Sequence, residues 1–399
     1  MFSEKMLALG KESSVIREIF EYGRKRKAEI GADRVFDFSL GNPSIPAPPS
    51  VEREIRRLLD TREPTLLHGY TSAAGAPEAR EAVARAYSAA SGLEIPSSLV
   101  YMACGAAAAL TSVLGALICP GDEVILLSPF FPEYRVFAEK AGAAVVVVPT
   151  AAETFLPDVG AIGRALTDRT KAILLNSPNN PTGVIYPEGA LRELAALLEK
   201  KKRETGRPVF LISDEPYRKL AYGKPVPFPA ALYPDTVVCS SFSKSLSLPG
   251  ERIGYVIVSP AAAACRDLFA AVCGAARSLG YVCAPSLMQY VIASCADGSA
   301  DLAVYAENRR LLTEGLSRIG YTFAPPDGAF YLFLKAPGGD AAAFCERAKK
   351  KELLLVPGGD FGSPDYVRIA YCVKKETILG ALPAFEALFA EYETEKRHD

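Results

Sequence analysis

One lysine stands in a stretch that is otherwise rich in hydroxyl groups. Residues 241–254 read Ser-Phe-Ser-Lys-Ser-Leu-Ser-Leu-Pro-Gly-Glu-Arg-Ile-Gly, with Lys244 followed by Arg252 eight positions later. An amine acts as a covalent catalyst near neutral pH only if burial or a neighbouring cation lowers its pKa. Hydroxyls, backbone amides and an arginine suit a phosphate dianion, because it needs several donors and a fixed charge. The stretch predicts a reactive lysine beside a phosphate anchor; an exposed lysine in a polar loop is the alternative.

A lysine imine next to a phosphate anchor is the arrangement that pyridoxal 5'-phosphate (PLP) uses. The spacing Ser-x-Ser-Lys-x-x-x-Leu-x-x-x-Arg-Ile-Gly resembles the PLP-lysine signature of the class I/II aminotransferases, the aspartate aminotransferase family of fold type I. The resemblance implies that Lys244 carries the cofactor and is catalytic. It also implies cofactor contacts from Ser241, Ser243 and Arg252. Further matches follow in the family's order from about residue 35 to 372.

Two of these matches follow predicted strands. The turn at Gly105, Ala106 and Ala107 leads into a helix, so its backbone N–H groups can hold a phosphate at the helix start. The family often has a hydroxyl or a lysine where Ala107 stands. Phe131 matches the aromatic residue that stacks on the cofactor ring. Without the resemblance, the turn and the phenylalanine would be interpreted as packing features.

Two polar motifs resemble the family's contacts to the cofactor ring. Residues 176–183, Asn-Ser-Pro-Asn-Asn-Pro-Thr-Gly, resemble its Asn-Pro-Thr-Gly loop, in which Asn180 would donate to the phenolic oxygen and contact the substrate. Asp214 follows a buried strand, where a carboxylate is costly unless it is paired. The match implies that Asp214 pairs with the pyridine nitrogen and that Tyr217 is a second donor to the phenolic oxygen; both are expected to be catalytic. A helix or turn cap is the alternative role of Asp214.

Three residues resemble the substrate and subunit contacts of the family. Arg368 matches the arginine that holds the substrate α-carboxylate, a task that suits a planar guanidinium. An exposed arginine on an edge strand is the alternative. Gly41 matches the glycine whose N–H meets the same carboxylate. Tyr70 resembles the tyrosine that reaches the cofactor phosphate of the neighbouring subunit, which implies a homodimer with shared active sites.

The composition indicates a globular protein. Of 399 residues, 49% are apolar and 23% are charged, and the net charge is −1, so neither nucleic acid nor membrane is a predicted partner. Nine cysteines without a Cys-x-x-Cys pair are interpreted as reduced residues of a cytoplasmic protein. The two histidines, His68 and His398, make histidine zinc sites and Ser-His-Asp hydrolysis poor candidates. No metal site is predicted.

One stretch has the length of a membrane span. Met102 to Cys119 is 18 residues without a charge, the minimum for a spanning helix. Its alanine and glycine content and its polar interruptions favour a strand, a glycine turn and a buried helix. The charged N-terminus shows no signal peptide.

Strands and helices alternate from about residue 77, which indicates a mostly parallel sheet with helices on both faces. Strands are predicted at 99–104, 123–128, 143–149, 171–176, 208–213, 236–240 and 253–258. Helices are predicted at 12–30, 77–91, 106–118, 132–141, 158–166 and 187–204, with a further one after a Ser50 cap. Beyond 285 we expect helices at 285–296, 301–318, 340–350 and 375–393 and strands at 321–324, 329–335, 353–356 and 366–371.

These patterns predict an α/β fold of fold type I with two domains. The large PLP-binding domain would span residues 49–284, with its mostly parallel sheet. The smaller α+β domain would comprise residues 285–399 together with the N-terminal segment 1–48.

The predicted function is PLP-dependent transfer of the amino group of an L-amino acid, aspartate-like or neutral, to a 2-oxo acid such as 2-oxoglutarate, by a ping-pong mechanism in amino acid metabolism or biosynthesis. A carbon–sulfur β-lyase of the same fold would share every residue named. A non-catalytic PLP-fold sensor is less favoured, because we expect no room for a DNA-binding domain before residue 12. A nucleotide-binding protein is disfavoured by the lack of a Gly-x-Gly-x-x-Gly turn.

A dicarboxylic substrate needs a second cation besides Arg368. In one branch of the family a lysine in the glycine turn helps, but Ala107 stands at that position here. In another branch an arginine of the partner subunit serves, and Arg277 lies near that region; Arg34 and Arg218 are candidates by charge alone. Arg277 is equally well explained as the end of a helix. We therefore expect 2-oxoglutarate to be accepted, with only a modest preference for dicarboxylates over neutral amino acids.

Overall fold

The computed structural model describes residues 2–11 and 15–396. His398 and the first three residues of the helix predicted at 12–30 lie outside these ranges. In chain order, the helices are α1 Glu4–Lys11, α2 Val15–Ile30, α3 Pro49–Thr61, α4 Pro64–His68, α5 Pro77–Ser91, α6 Gly105–Leu117, α7 Glu133–Ala141, α8 Val159–Ala165, α9 Glu188–Thr205, α10 Pro229–Leu232, α11 Phe242–Ser245, α12 Cys265–Ser278, α13 Ser286–Cys295, α14 Ala303–Ile319, α15 Ala341–Lys349 and α16 Lys375–Lys396. The strands are β1 Phe36–Asp37, β2 Val100–Ala103, β3 Glu123–Ser128, β4 Ala144–Pro149, β5 Thr170–Asn176, β6 Phe210–Asp214, β7 Thr236–Ser241, β8 Gly254–Val258, β9 Tyr331–Lys335, β10 Leu353–Leu354, β11 Val356–Pro357 and β12 Tyr366–Ala370.

The larger sheet in this part of the chain has seven strands in the order β2-β8-β7-β6-β5-β3-β4. Its strands pair in parallel from β7 to β4, whereas β8 is antiparallel to both β7 and β2. Alternate residues of β3 face opposite cores: Val124 and Leu126 pack with α6 and α12, and Ile125 and Leu127 pack with α8 and α9. Both faces are therefore covered, as the apolar strand runs predicted, and the fold prediction is confirmed.

The carboxyl ends of β2, β3, β5, β6 and β7 meet at one edge of this sheet. Strand β8 is antiparallel to both β7 and β2, so β7 and β2 run in the same direction. Strand β8 begins at the edge where β7 and β2 end. Gly254 lies opposite both Ser241 and Ala103. The loops after these strands and the residues just before Gly254 therefore converge, as expected for a ligand site in an open α/β sheet.

A smaller antiparallel sheet contains β11, β12 and β9, with β12 in the centre. Arg368 on β12 lies opposite Val356 on one side and Phe333 on the other. Only 2% of Arg368 is exposed. The alternative of an exposed edge-strand arginine is therefore wrong.

The core beside the small sheet includes residues from both ends of the chain. Phe38 and Ile45 pack in one cluster with side chains of α14, α15 and α16. Helix α13 instead packs against α3 and α5, in a separate hydrophobic cluster that also contains residues of β8. The domain bounds at 48/49 and 284/285 stay a prediction.

Several local predictions need correction. Ser50 lies inside α3, whose N-cap is Pro48, because Pro49 already has a φ suited to the first helical turn. Residues 321–324 form no strand, only an isolated bridge from Phe323 to Leu334. The strand predicted at 353–356 is divided into β10 and β11, which pair with different partners. Helix α12 was missed, although its buried residues Leu268, Val272, Ala275 and Ala276 recur at helical spacing.

The uncharged stretch from Met102 to Cys119 forms the end of β2, a turn and the buried helix α6, as predicted. Gly105 begins α6 with a φ of 83°, a conformation that residues with a Cβ rarely adopt. No helix in the described ranges is long and apolar enough to cross a membrane.

Candidate active site

A cavity of about 360 Å³ lies between the carboxyl edge of the large sheet and the face of β12. Twelve of the predicted site residues line it: Gly41, Ala106, Ala107, Phe131, Asn180, Asp214, Tyr217, Ser241, Ser243, Lys244, Arg252 and Arg368. Gly105 lies directly beside it at the start of α6. Tyr70 does not line it. The structure thus brings together residues of two sheets and of the loops beside them, from Gly41 to Arg368 in the chain.

Lys244 lies in the short helix α11, directly after β7. Its Nζ donates to the carbonyl oxygen of Gly41 at 2.7 Å. Burial lowers the pKa of Lys244 from 10.5 to about 8, and the positive charges of Arg368 and Arg252 act in the same direction. The amine therefore loses its proton far more readily than an exposed lysine, which is what a nucleophile or base needs.

The N-terminus of α6 faces Arg252. A Cβ on Gly105 would lie 2.7 Å from Nη2 of Arg252, so only glycine permits this approach. The N-cap residue Cys104 makes no side-chain hydrogen bond to the helix, which leaves the N–H groups of the first turn without a cap. Ser241 and Ser243 line the same end of the cavity. Amides, hydroxyls and one guanidinium thus form an anion site.

Asp214 ends β6 and is buried. The Tyr134 hydroxyl donates to Oδ2 of Asp214, whereas Oδ1 has no hydrogen-bond partner among the described residues. Burial raises the pKa of Asp214 to about 7, although the bond from Tyr134 opposes this shift. A buried carboxylate oxygen without a partner is costly, and it points to a cationic or N–H group of a ligand. The alternative of a helix or turn cap finds no support, because neither oxygen of Asp214 accepts a backbone N–H from the described residues.

Arg368 is held by two oxygen atoms. Its Nη2 donates to the carbonyl oxygen of Ser39 at 2.6 Å and its Nη1 donates to Oδ1 of Asn180 at 3.2 Å. Its Nε has no partner in the described part of the chain. Burial lowers the pKa of Arg368, and the hydroxyls of Tyr331 and Tyr217 oppose that shift. The guanidinium is thus fixed in orientation and keeps a donor for an anion.

Tyr134 and Tyr331 were missed at the sequence level. Tyr134 lies in the first turn of α7 and its ring meets that of Phe131 edge-on at 5.6 Å. The Tyr331 hydroxyl lies 3.1 Å from that of Tyr217, and a Cβ on Gly41 would overlap it. Proximity in sequence to Phe131 was a signal for Tyr134. For Tyr331 there was none, because it reads as one more apolar position of β9.

Other predicted residues lie apart from this cavity. Tyr70 is 88% exposed, so its predicted role toward a neighbouring subunit stays a prediction. The candidate second cations Arg34 and Arg277 are exposed and do not line the cavity. Arg218 is half-buried in an ion pair with Glu215 at 2.6 Å, and it too lies outside the lining.

Comparisons with known proteins agree with this geometry. The family model described as aminotransferase class I and II matches residues 33–385. The chain belongs to this family. A probable aspartate/prephenate aminotransferase of Thermus aquaticus is 35% identical over 87% of this chain and 89% of that protein. The aspartate aminotransferase of Thermotoga maritima is 34% identical over 93% and 96% of the two chains.

Solved aminotransferase structures superpose closely. That of an amino transferase from Eubacterium rectale has a TM-score of 0.96 at 49% identity, covering 98% of this chain and 99% of that one. The Thermotoga maritima aspartate aminotransferase has a TM-score of 0.87 at 31% identity, covering 98% and 100%. The predictions of an aminotransferase and of fold type I are confirmed. The family is generally PLP-dependent; the cytoplasmic location stays a prediction.

Proposed function

We propose that this aminotransferase binds PLP in the cavity and that Lys244 is its cofactor lysine. The observation that carries the proposal is the buried Oδ1 of Asp214, which has no partner among the described residues, in a residue that lines the same cavity as a lysine with a lowered pKa. A protonated pyridine nitrogen would supply both the donor and the charge that Asp214 lacks. With that partner, the carboxyl would stay ionised at neutral pH.

The remaining donors fit the other end of the cofactor. A phosphate would lie at the first turn of α6, with Gly105, Ala106 and Ala107 supplying backbone N–H groups. Ser241, Ser243 and Arg252 would add hydroxyls and a fixed charge. Because Ala107 has no polar side chain, the backbone amide at that position is its only polar contribution. Phe131 would lie against the ring, with its orientation set by Tyr134.

Bound PLP would supply an electron sink for the charge that develops at the substrate α-carbon. Asp214 would hold the proton on the ring nitrogen, and Asn180 and Tyr217 would donate to the phenolic oxygen. Lys244, once free, would carry the proton from the α-carbon to C4' of the cofactor. Its lowered pKa suits this task, because a base works best when its pKa lies near the working pH.

The substrate α-carboxylate would bind Arg368. Asn180 and Ser39 fix the guanidinium, and Nε, which has no partner among the described residues, would donate to the carboxylate. The backbone N–H of Gly41 would bind the same carboxylate, and the carbonyl of Gly41 already holds Lys244. This arrangement would place the substrate α-carbon next to the amine that takes its proton.

The overall reaction would be exchange of an amino group between an L-amino acid and a 2-oxo acid such as 2-oxoglutarate, by a ping-pong mechanism. The names of the aspartate aminotransferase relatives support this class of donor. A homodimer with shared active sites is part of the proposal, with the exposed Tyr70 reaching the partner's phosphate site.

A panel of amino acids tested with 2-oxoglutarate and with pyruvate measures this proposal directly. Amino-group transfer to the 2-oxo acid is expected. Release of pyruvate and ammonia from a cysteine conjugate, without transfer, would favour the β-lyase alternative. Cofactor binding without turnover of any donor would favour a sensor.

A further inference from the structure

We infer that this cavity selects amino acids with neutral, apolar side chains over aspartate and glutamate. The inference rests on the proposed function and names the substrate class of the same site. It reverses the modest preference for dicarboxylates expected from the sequence, and it implies that 2-oxoglutarate, which uses the same site, reacts less readily than a 2-oxo acid with an apolar side chain. It follows from the wall beside Arg368, where a side chain must lie once the α-carboxylate is bound.

The wall next to Arg368 is apolar. Val356 is the register partner of Arg368 on β11, and the ring of Phe361 lies 5.1 Å from the guanidinium carbon. Both residues are buried. Leu40, directly before Gly41, and Ile16 on α2 line the cavity as well. A side-chain carboxylate placed against these four residues would lose water and gain no donor from their side chains.

Two carboxylates stand at the outer part of this wall. Glu133 is half-buried and Asp360 is exposed, and both line the cavity. Neither side chain makes a hydrogen bond or ion pair with the described residues. The segments that carry them are joined, because Phe130 N donates to Phe361 O at 3.0 Å and Ser128 Oγ donates to Gly362 O at 2.8 Å.

No cation in the cavity lining of the described chain offsets these charges. Lys244, Arg252 and Arg368 line it, and each already has a proposed role toward cofactor or α-carboxylate. Arg218 is held by Glu215 and by the carbonyls of Val226 and Pro227. A second substrate carboxylate would therefore meet two like charges and no free cation of the same chain's described lining, which disfavours it.

The test measures kcat/KM of the PLP-loaded enzyme for leucine, lysine and aspartate as donors. Leucine is expected to exceed aspartate by roughly tenfold or more. In the double variant Glu133→Gln, Asp360→Asn, the aspartate-to-leucine ratio of kcat/KM should rise by about tenfold, because two repulsive charges are removed. Glu193→Gln, an exposed carboxylate on α9, is the matched control and should not change the ratio.

A binding measurement separates recognition from turnover. Calorimetry should show that the loaded enzyme binds 4-methylpentanoate more tightly than glutarate. The difference between the two affinities should be smaller in the double variant. Aspartate favoured over leucine by more than about tenfold would overturn the inference and leave the aminotransferase assignment intact. Lysine favoured over leucine would overturn it too, since the two carboxylates would then be ligands of a cationic side chain. No transfer from any donor would overturn the proposed function and this inference with it.

Discussion

The seven-stranded and three-stranded sheets of this aminotransferase each bury one charged side chain against the cavity, but the two side chains are held in different ways. Asp214 lies at the end of β6, where the chain leaves the sheet, and has one hydroxyl partner. Arg368 lies in the middle of the central strand β12, with two oxygen partners from other segments. Within the described ranges, each keeps one polar atom without a partner, Oδ1 in the first case and Nε in the second.

The difference lies in how each group responds to burial. A carboxyl can become neutral, and the pKa of Asp214 rises to about 7. A guanidinium stays charged at any working pH, so the protein must hold it with oxygen atoms. Under the proposed function, Asp214 would therefore change its charge state when the cofactor binds, whereas Arg368 would be a permanent anion site. The charge at the cofactor end would thus be variable and that at the substrate end fixed.

The strongest test concerns the lysine that stands between these two ends. Lys244→Ala should lower kcat/KM by about 10⁴-fold or more, since it removes both a nucleophile and a proton carrier. Borohydride reduction of the loaded wild type, followed by peptide mass analysis, should find the cofactor on Lys244. Lys219→Ala, which changes a lysine outside the cavity lining, serves as the control. Wild-type transfer rates in the Lys244 variant would show that another residue binds the cofactor and carries the proton.

Arg368 should behave as a fixed charge. Arg368→Ala should reduce kcat/KM by about 10²- to 10³-fold, as expected when one partner of a buried charge pair is removed. Arg368→Lys should recover only part of the loss, because an ammonium cannot replace a planar fork held by Asn180 and Ser39. Steady-state kinetics with amino acids and with the matching amines check this. Equal losses for amines, which have no carboxylate, would contradict the assignment.

Asp214 should titrate near neutral pH in the cofactor-free protein. Its folded pKa of about 7 lies above the ordinary value, so the folded state binds more protons between about pH 4 and 7, and stability falls as pH rises through this window. Asp214→Asn should therefore stabilise the cofactor-free protein by roughly 2–4 kcal/mol at pH 8 and by little at pH 4.

Thermal unfolding at the two pH values measures this difference. When both proteins are loaded with PLP, Asp214→Asn should no longer be more stable than the wild type, because the wild-type carboxylate is then paired with the ring nitrogen. A stability difference that does not depend on pH would mean that Asp214 is not the titrating group.

The smallest effect is a pH dependence of the amine itself. Folding lowers the pKa of Lys244 to about 8, so the neutral amine is fully available only above that pH. The rate at which the cofactor-free protein captures PLP should rise about tenfold per pH unit up to about 8 and then level off. Stopped-flow absorbance gives this profile. A rate that keeps rising to pH 10 would show an ordinary, solvated lysine.

The sequence alone predicted the large sheet and the loops after its strands. Each of the seven predicted strands between 99 and 258 is present, because continuous apolar runs between glycine, proline and polar turns have one stable solution, a sheet buried on both faces. The residues at the strand ends, Asp214 and Lys244 among them, follow from that pattern and from the family signature. Chain order also indicated that they meet, since the carboxyl ends of parallel strands share one edge.

Only the tertiary structure decided which residues complete the cavity. The contacts of Arg368 with Ser39 and Asn180, of Gly41 with Lys244 and of Tyr134 with Asp214 join segments that no local periodicity relates. The same holds for the candidate second cations: Arg218 and Arg277 lie outside the cavity lining of their own chain, and a role of Arg277 toward the partner subunit's site stays a prediction. Residue type and spacing determine what a side chain can do, whereas its neighbours across the fold decide its charge, its orientation and what it meets.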